Sequence, residues 1–288
     1  MDKRKSEADD ESDEDDDFGP APADASSYEL EPAGNGGEPR AKKRQRILQF
    51  ESVYLDALPS AESYERSLMH RDVVTHVVVS KPTEFIITAS IDGHVKFWKK
   101  MPRNIEFAKH FQAHLGTINS MVLSPDGLRL VTTSQDKMIK FFEVVSFDMI
   151  NMISVQYTPT CACWLPGGLR VAVADASSGS IFIFKSDDGR SEPLEELRIH
   201  QSPVVALSLC PGPAKTIVSG DKAGMIEYWT DSFELPGSDH ISFRMKSSTD
   251  LYDLAKSKTH PCSISFAPNG GLFAVMAKDK QIRIFDFR

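Results

Sequence analysis

The sequence predicts an all-β propeller, a series of four-stranded blades following a disordered acidic N-terminal tail. Three observations carry this. A strand–turn–strand signature, clearest at residues 87–98 (I-T-A-S-I-D-G-H-V-K-F-W), recurs so that five copies are visible. Each copy closes on an aromatic residue, at Trp98, Phe142, Phe184, Trp229 and Phe285, with intervals of 44, 42, 45 and 56 residues. A histidine stands at a fixed distance before an aspartate, 22 residues for His70–Asp92 and His114–Asp136 and 21 for His200–Asp221. A period of 40–45 residues with several short strands per copy is the signature of a blade.

Taking the chain in order, residues 1–45 form the tail. Residues 1–39 hold fourteen Asp/Glu and three Lys/Arg, and nine of the eleven residues from Glu7 to Asp17 are acidic. Such a segment has too little apolar surface to offset the entropy of ordering. Ser6 and Ser12 each have an acidic residue three positions on, a context for acid-directed phosphorylation, although a solvated spacer also accounts for the run. Five of the seven residues 40–46 are basic, with Lys42, Lys43, Arg44 and Arg46 at the centre. This reads as a nuclear-localisation patch, and the expected location is the nucleus. The whole chain has a formal net charge of −8, but residues 40–288 keep 27 of its 41 acidic and 30 of its 33 basic residues. The body is nearly neutral, without a nucleic-acid footprint. No apolar run reaches membrane-spanning length.

Residues 46–68 are expected to dock on the blades C-terminal to them. Ile47, Phe50, Val53, Tyr54 and Leu58 recur at helical spacing and stop before Pro59. Residues 69–288 carry the blades. Pro125-Asp126-Gly127 and Pro268-Asn269-Gly270 read as hairpin turns between first and second strands, and Asp92-Gly93 as the next turn. The third repeat lacks both His and Asp. The fifth keeps Asp279, with Ser257 where a His is expected. The 56-residue interval is stretched by an insertion around residues 231–258. The fifth blade is expected to lack its outer strand unless residues near 47–68 supply it, and the ring to be incomplete.

The recurrence resembles the WD-repeat family. The family's buried tetrad then falls on His70, Ser90, Asp92 and Trp98; on His114, Ser134 and Asp136, with Phe142 in place of Trp; and on His200, Ser219, Asp221 and Trp229. The hydroxyl of each set is open by a residue or two. A hydrolase triad uses these residue types, but one active site has no need of three copies at matched spacing. A buried carboxylate needs hydrogen-bond partners, so a structural role is expected.

From residue 46 onward longer motifs are more specific. Residues 53–61 (V-Y-L-D-A-L-P-S-A), 69–76 (M-H-R-D-V-V-T-H), 92–100 (D-G-H-V-K-F-W-K-K), 147–152, 224–229 and 249–256 (T-D-L-Y-D-L-A-K) resemble the WD-repeat part of the WD-repeat cyclophilins. The resemblance implies an interaction scaffold in the nucleus that docks onto spliceosomal ribonucleoprotein or onto histones and chromatin. It implies further blades and a cyclophilin domain beyond this part. The Phe-His-Arg, Gln-x-Gly-Asp and Trp-Leu-Asp motifs of cyclophilins are absent from these 288 residues, so prolyl isomerase activity is not carried over to this chain. The alternative is a targeting module for such an isomerase. An RNA-binding propeller is a weaker one, resting on Lys99, Lys100 and Arg103. Arg71, His94 and Lys137, in loops, are the candidate partner contacts.

The residues point to no cofactor, metal or small-molecule substrate. Gly-Gly at 167–168 has no Walker or dinucleotide pattern around it. Cys161, Cys163, Cys210 and Cys262 form no pair of CxxC motifs and read as reduced thiols.

Overall fold

The computed structural model describes residues 50, 52–53, 56, 69–102, 104–212, 215–232, 242–246 and 253–287. Ser6, Ser12 and the basic patch at Lys42, Lys43, Arg44 and Arg46 lie outside them. Among the described residues are five antiparallel sheets, each a meander in chain order. The first holds β1 (Val74–Ser80), β2 (Phe85–Ser90), β3 (His94–Lys100) and β4 (Ile105–Gln112). The second holds β5 (Ile118–Leu123), β6 (Arg129–Ser134), β7 (Met138–Glu143) and β8 (Asp148–Ser154). The third holds β9 (Pro159–Trp164), β10 (Arg170–Asp175), β11 (Ile181–Lys185) and a short β12 (Glu195–Leu197). The fourth holds β13 (Val204–Leu209), β14 (Thr216–Asp221), β15 (Ile226–Ser232) and β16 (Ser242–Lys246). The fifth has three strands among the described residues, β17 (Pro261–Phe266), β18 (Leu272–Ala277) and β19 (Ile282–Asp286). This is the five-blade arrangement of a propeller.

The inner strands meet in sequence, β1 on β5, β5 on β9, β9 on β13 and β13 on β17. Alternation along a strand sends successive side chains to opposite faces, and each core lies between the facing sides of two neighbouring sheets. Phe85, Ile87, Val95 and Phe97 of the first sheet meet Leu130 and Phe142 of the second. Val131, Ile139 and Phe141 meet Val171, Val173 and Phe184 of the third. Ala172, Ala174, Ile181 and Ile183 meet Ile217 and Trp229 of the fourth. Val218 and Ile226 meet Phe273 and Val275 of the fifth. Each fully buried Phe or Ile contributes roughly 1.5–3 kcal/mol.

Every sheet has a bulge between its first two strands, as at Val74/His76, Ile118/Ser120 and Val204/Ala206. An extra residue there bends the inner strand and sharpens its twist. Gly93, in the β2–β3 turn, has φ 83°, and a Cβ on it would lie 2.2 Å from the His114 carbonyl oxygen. Only glycine suits both demands.

The docking segment goes to the first blades. Phe50 packs against the core shared by the first and second sheets, and helical residues come next at Ser52–Val53 and Asp56. No described residue of that segment adds a strand to the fifth sheet. The long fourth interval contains β16 and a one-turn helix, α1 (Asp253–Lys256), whose Leu254 is fully buried.

Candidate functional site

The repeated polar residues form hubs on the sheet faces. In the second blade His114 Nε2 lies 2.8 Å from Thr132 Oγ1, and His114 Nδ1 lies 3.0 Å from Asp136 Oδ2. Asp136 also accepts the backbone N–H groups of Leu115 at 3.1 Å and Met138 at 3.0 Å. Burial opposes the charge on Asp136, but His114 and those N–H donors outweigh it and hold the carboxyl below its ordinary range. Burial also lowers the pKa of His114 despite the carboxylate beside it. In the fourth blade His200 Nε2 lies 2.7 Å from Ser219 Oγ, to which Trp229 Nε1 donates at 3.1 Å. His200 Nδ1 is 3.2 Å from Asp221 Oδ2.

The first blade departs from this plan. His70 Nε2 lies 2.7 Å from Thr88 Oγ1, which also accepts from Trp98 Nε1 at 2.8 Å. The buried His70 Nδ1 has no hydrogen-bond partner among the described residues. Asp92 instead accepts the Ser90 hydroxyl and the His94 backbone N–H.

Two sequence readings are corrected by this geometry. Thr88 and Thr132, not Ser90 and Ser134, complete the first two sets. The serines sit two residues further along, beside the turn, where Ser90 binds Asp92 and Ser134 Oγ accepts the Asp136 N–H at 3.3 Å. The reason is register. Trp98 pairs with Ile86, Phe142 with Leu130 and Trp229 with Ile217. The same-face residue two further on, ten before the aromatic, is therefore Thr88, Thr132 or Ser219, and the indoles of Trp98 and Trp229 donate to the first and last of these. That constant spacing was the signal to follow. The spacing to the aspartate misled, because Asp221 stands two residues after its hydroxyl while Asp92 and Asp136 stand four after theirs.

The degenerate blades are also re-read. The third does have an acid at the turn: Asp175 accepts the Ser177 N–H at 3.0 Å and the Ser177 and Ser178 hydroxyls at 2.7 Å each. In the fifth, Thr259 and not Ser257 takes the histidine's place. A Cβ on Gly224 would meet the Thr259 carbonyl as one on Gly93 meets that of His114 and one on Gly179 that of His200. Ser257 is exposed and donates to the Asp253 carbonyl at 2.8 Å. The hydroxyl position is apolar in both blades, Val173 and Val275, each 0 % exposed.

Thr132 and Ser219 are also 0 % exposed. In the first blade Thr88 is half-buried, and its hydroxyl is engaged by His70 and Trp98; in all three blades the hydroxyl is spent on holding the hub together. Partner contacts must come from elsewhere. Arg71 is exposed beside the first blade, His94 opens β3, and Lys137 stands in the β6–β7 turn at φ 63° with its Nζ 3.4 Å from the Gln156 carbonyl. A cleft of about 610 Å³ opens where the inner strands of the second, third and fourth blades begin. Asn119, Gln135, Thr158, Thr160, Ala176 and Val205 line it, and none of them titrates. Asn119 Nδ2 donates to the Pro159 carbonyl at 2.7 Å, and Thr160 Oγ1 to that of Val204 at 3.0 Å, so these groups also lock three blades together. Nothing in the sequence marked these six, because they meet only once the blades assemble. Among the described residues no group of His, Cys, Asp and Glu side chains is set to hold a metal, and no helix is long and apolar enough to cross a membrane.

Stacked sheets joined through inner strands, with a His–hydroxyl–indole hub and a tight Asp turn, define a WD-repeat propeller. The family model described as "WD domain, G-beta repeat" matches residues 63–99 and 105–143. Over 85% of its length the chain is 48% identical to the Mus musculus and Homo sapiens proteins named "Peptidylprolyl isomerase domain and WD repeat-containing protein 1". It is 44% identical over 88% of its length to a peptidyl-prolyl cis-trans isomerase of Arabidopsis thaliana. It spans 38% of the first two relatives and 41% of the third. The chain is thus similar to a part of these relatives, and the WD-repeat match falls within that part.

Proposed function

We propose that the chain is the docking part of a nuclear WD-repeat cyclophilin and holds spliceosomal ribonucleoprotein or chromatin proteins against it. The observation that carries the reading is the contrast between hubs whose polar groups bond one another and an open, uncharged cleft. The polar groups repeated in the sequence are consumed in holding the blades. The Gln135 amide stands exposed on the rim of the cleft, which suits the backbone of an extended protein segment. The resemblance of residues 40–46 to an import signal supports the nuclear location.

A photo-crosslinking residue at Gln135 in the full chain, exposed to nuclear extract, tests it. Adducts with spliceosomal or histone proteins, absent when the probe sits at exposed Lys215, support the proposal. No adducts, or the same adducts from both positions, reject it. The names of the relatives favour a second reading, a targeting part for prolyl isomerisation. On that reading too, this chain shows no isomerase activity above background, while a longer protein containing it does.

A further inference from the structure

Charge is unevenly divided over the end of the blades that carries the Asp turns. In the first three blades the loops there hold Arg71 and Lys137 against Asp72, Asp92, Asp136 and Asp175. In the fourth and fifth they hold five exposed lysines, Lys222, Lys256, Lys258, Lys278 and Lys280. The acids among these lysines are few and mostly engaged. Asp221 is 2 % exposed, faces His200, and accepts the N–H groups of Ala223 and Met225 at 2.9 Å. Asp279 accepts Arg283 at 2.6 Å, which leaves Asp253 at the start of α1. Among the described residues none of the five lysines has an ion-pair partner.

The backbone holds the five on adjacent loops. A Cβ on Gly224, two residues after Lys222, would lie 2.5 Å from the Thr259 carbonyl oxygen and 2.8 Å from the Ala255 nitrogen. The β14–β15 turn therefore sits against α1 and the residues that follow it, which carry Lys256 and Lys258. The His260 carbonyl then accepts the Lys278 N–H at 3.0 Å, bringing the β18–β19 turn with Lys278 and Lys280 alongside.

These positions stay open when a further blade is packed beside them. The residue after the second strand of each sheet donates its N–H to the carbonyl just before the first strand of the same sheet. It is Ile91, Gln135, Ala176, Lys222 and Lys278 in turn. The first four are exposed or half-buried with the next blade in place. Lys280, at φ 64°, takes the turn position of Gly93 and Gly224; Lys137 takes it in the second blade and is exposed beside the third. Gln135 and Ala176 of this ring line the neutral cleft, so the ring runs from the cleft onto the lysines.

We propose that this rim of the fourth and fifth blades binds a run of acidic side chains on a partner protein. Lysine presents a point charge without the planar fork that grips phosphate. The three loops carry no aromatic ring on which a base could stack. A nucleic-acid backbone continuing along the ring would meet the carboxylates of the first three blades, whereas an acidic run in a protein ends where the lysines end. The rim is charged where the cleft is neutral, and it stands whether or not the cleft binds.

The test is fluorescence anisotropy of labelled octaglutamate on the full chain, at about 50 mM salt, where screening leaves exposed charges effective. Octaglutamate should bind and octaglutamine should not. Lys222→Glu/Lys256→Glu/Lys278→Glu should weaken binding by about tenfold or more, because three exposed contacts, each worth less than that, add together. Lys81→Glu/Lys100→Glu/Lys185→Glu makes the same change of charge at exposed lysines elsewhere and should weaken it clearly less. In parallel, carbodiimide coupling of octaglutamate to the unaltered chain, read by mass spectrometry, should join the peptide to the rim lysines ahead of Lys81, Lys100 and Lys185; this readout decides the matter if the rim variant does not fold. No binding, equal loss in both variants, coupling spread evenly over all lysines, or a single-stranded oligonucleotide that displaces octaglutamate and binds more tightly would each overturn the proposal.

Discussion

Replacing Thr132 by valine tests the hub directly. Thr132 is 0 % exposed and its hydroxyl is the partner of His114 Nε2 at 2.8 Å, while His114 itself is 1 % exposed. Valine preserves shape, so the change isolates one hydrogen bond. It leaves a buried ring nitrogen unpaired, at a cost of about 1–3 kcal/mol. At about 2–4 °C per kcal/mol for a body of this size, the melting temperature should fall by about 2–12 °C. Ser134→Ala, by contrast, removes only an acceptor for the Asp136 N–H at 3.3 Å and should cost no more than about 1 kcal/mol. Urea unfolding of both variants at neutral pH compares them. The third blade supplies the rescue: it has Val155 and Val173 where the second has His114 and Thr132. A His114→Val/Thr132→Val chain should therefore recover part of the loss, as buried polar partners removed together often do. If Ser134→Ala proves the more costly change, the register argument is wrong. If the double variant is worse than the two singles summed, the hub is not a self-contained polar set.

Other measurements reach the remaining features. Acidification should destabilise the second blade. His114 has a folded pKa below its ordinary 6.5 and Asp136 one below its ordinary 3.8, so each contributes stability above its unfolded value that is lost as pH falls towards its folded value; a melting temperature that rises between pH 6.5 and acid conditions would contradict this. Gly93→Ala should cost about 1–3 kcal/mol from positive φ alone, with the clash on the His114 carbonyl added, and calorimetry showing wild-type stability would refute the close approach. Tyr157→Phe should leave stability unchanged or raised: the Tyr157 hydroxyl is buried without a partner among the described residues, and the ring stacks on Phe182 at 4.5 Å either way. Brief alkylation of the native chain near neutral pH should modify exposed Cys262 and spare Cys161 and Cys163, whose thiols burial pushes up to about 12; mass spectrometry of the digested chain reads the order.

The blades were legible because their signal is periodic. Alternation, a turn and an aromatic at a fixed interval survive even where the polar set has decayed, as Phe184 and Phe285 show. The sequence leaves the hydroxyls of the first two hubs open by a residue or two, because Ser90 and Thr88 fall on the same face of β2 and only the pairing of Trp98 with Ile86 chooses between them. Asp175 was missed because the acid can approach its turn from either of two positions. The cleft at Asn119 and Gln135 and the rim at Lys222, Lys258 and Lys278 left no local trace. Their members are neighbours across strands and blades, and neither composition nor spacing encodes that adjacency.

The placement of the cores has a consequence for how the molecule comes apart. Among the described residues no sheet owns a hydrophobic cluster; each cluster belongs to a seam between two sheets. The third blade is secured by two seams. Among the described residues the fifth shares one, while Ile282 and Ile284 on its other face are 69% and 71% exposed. Unfolding should then spread seam by seam, as in a row of coupled neighbours. Amide exchange should be slowest in β10 and fastest in β19. Damage to one seam would loosen two blades at once, so the cooperative unit of this molecule is the junction and not the repeat that its sequence advertises.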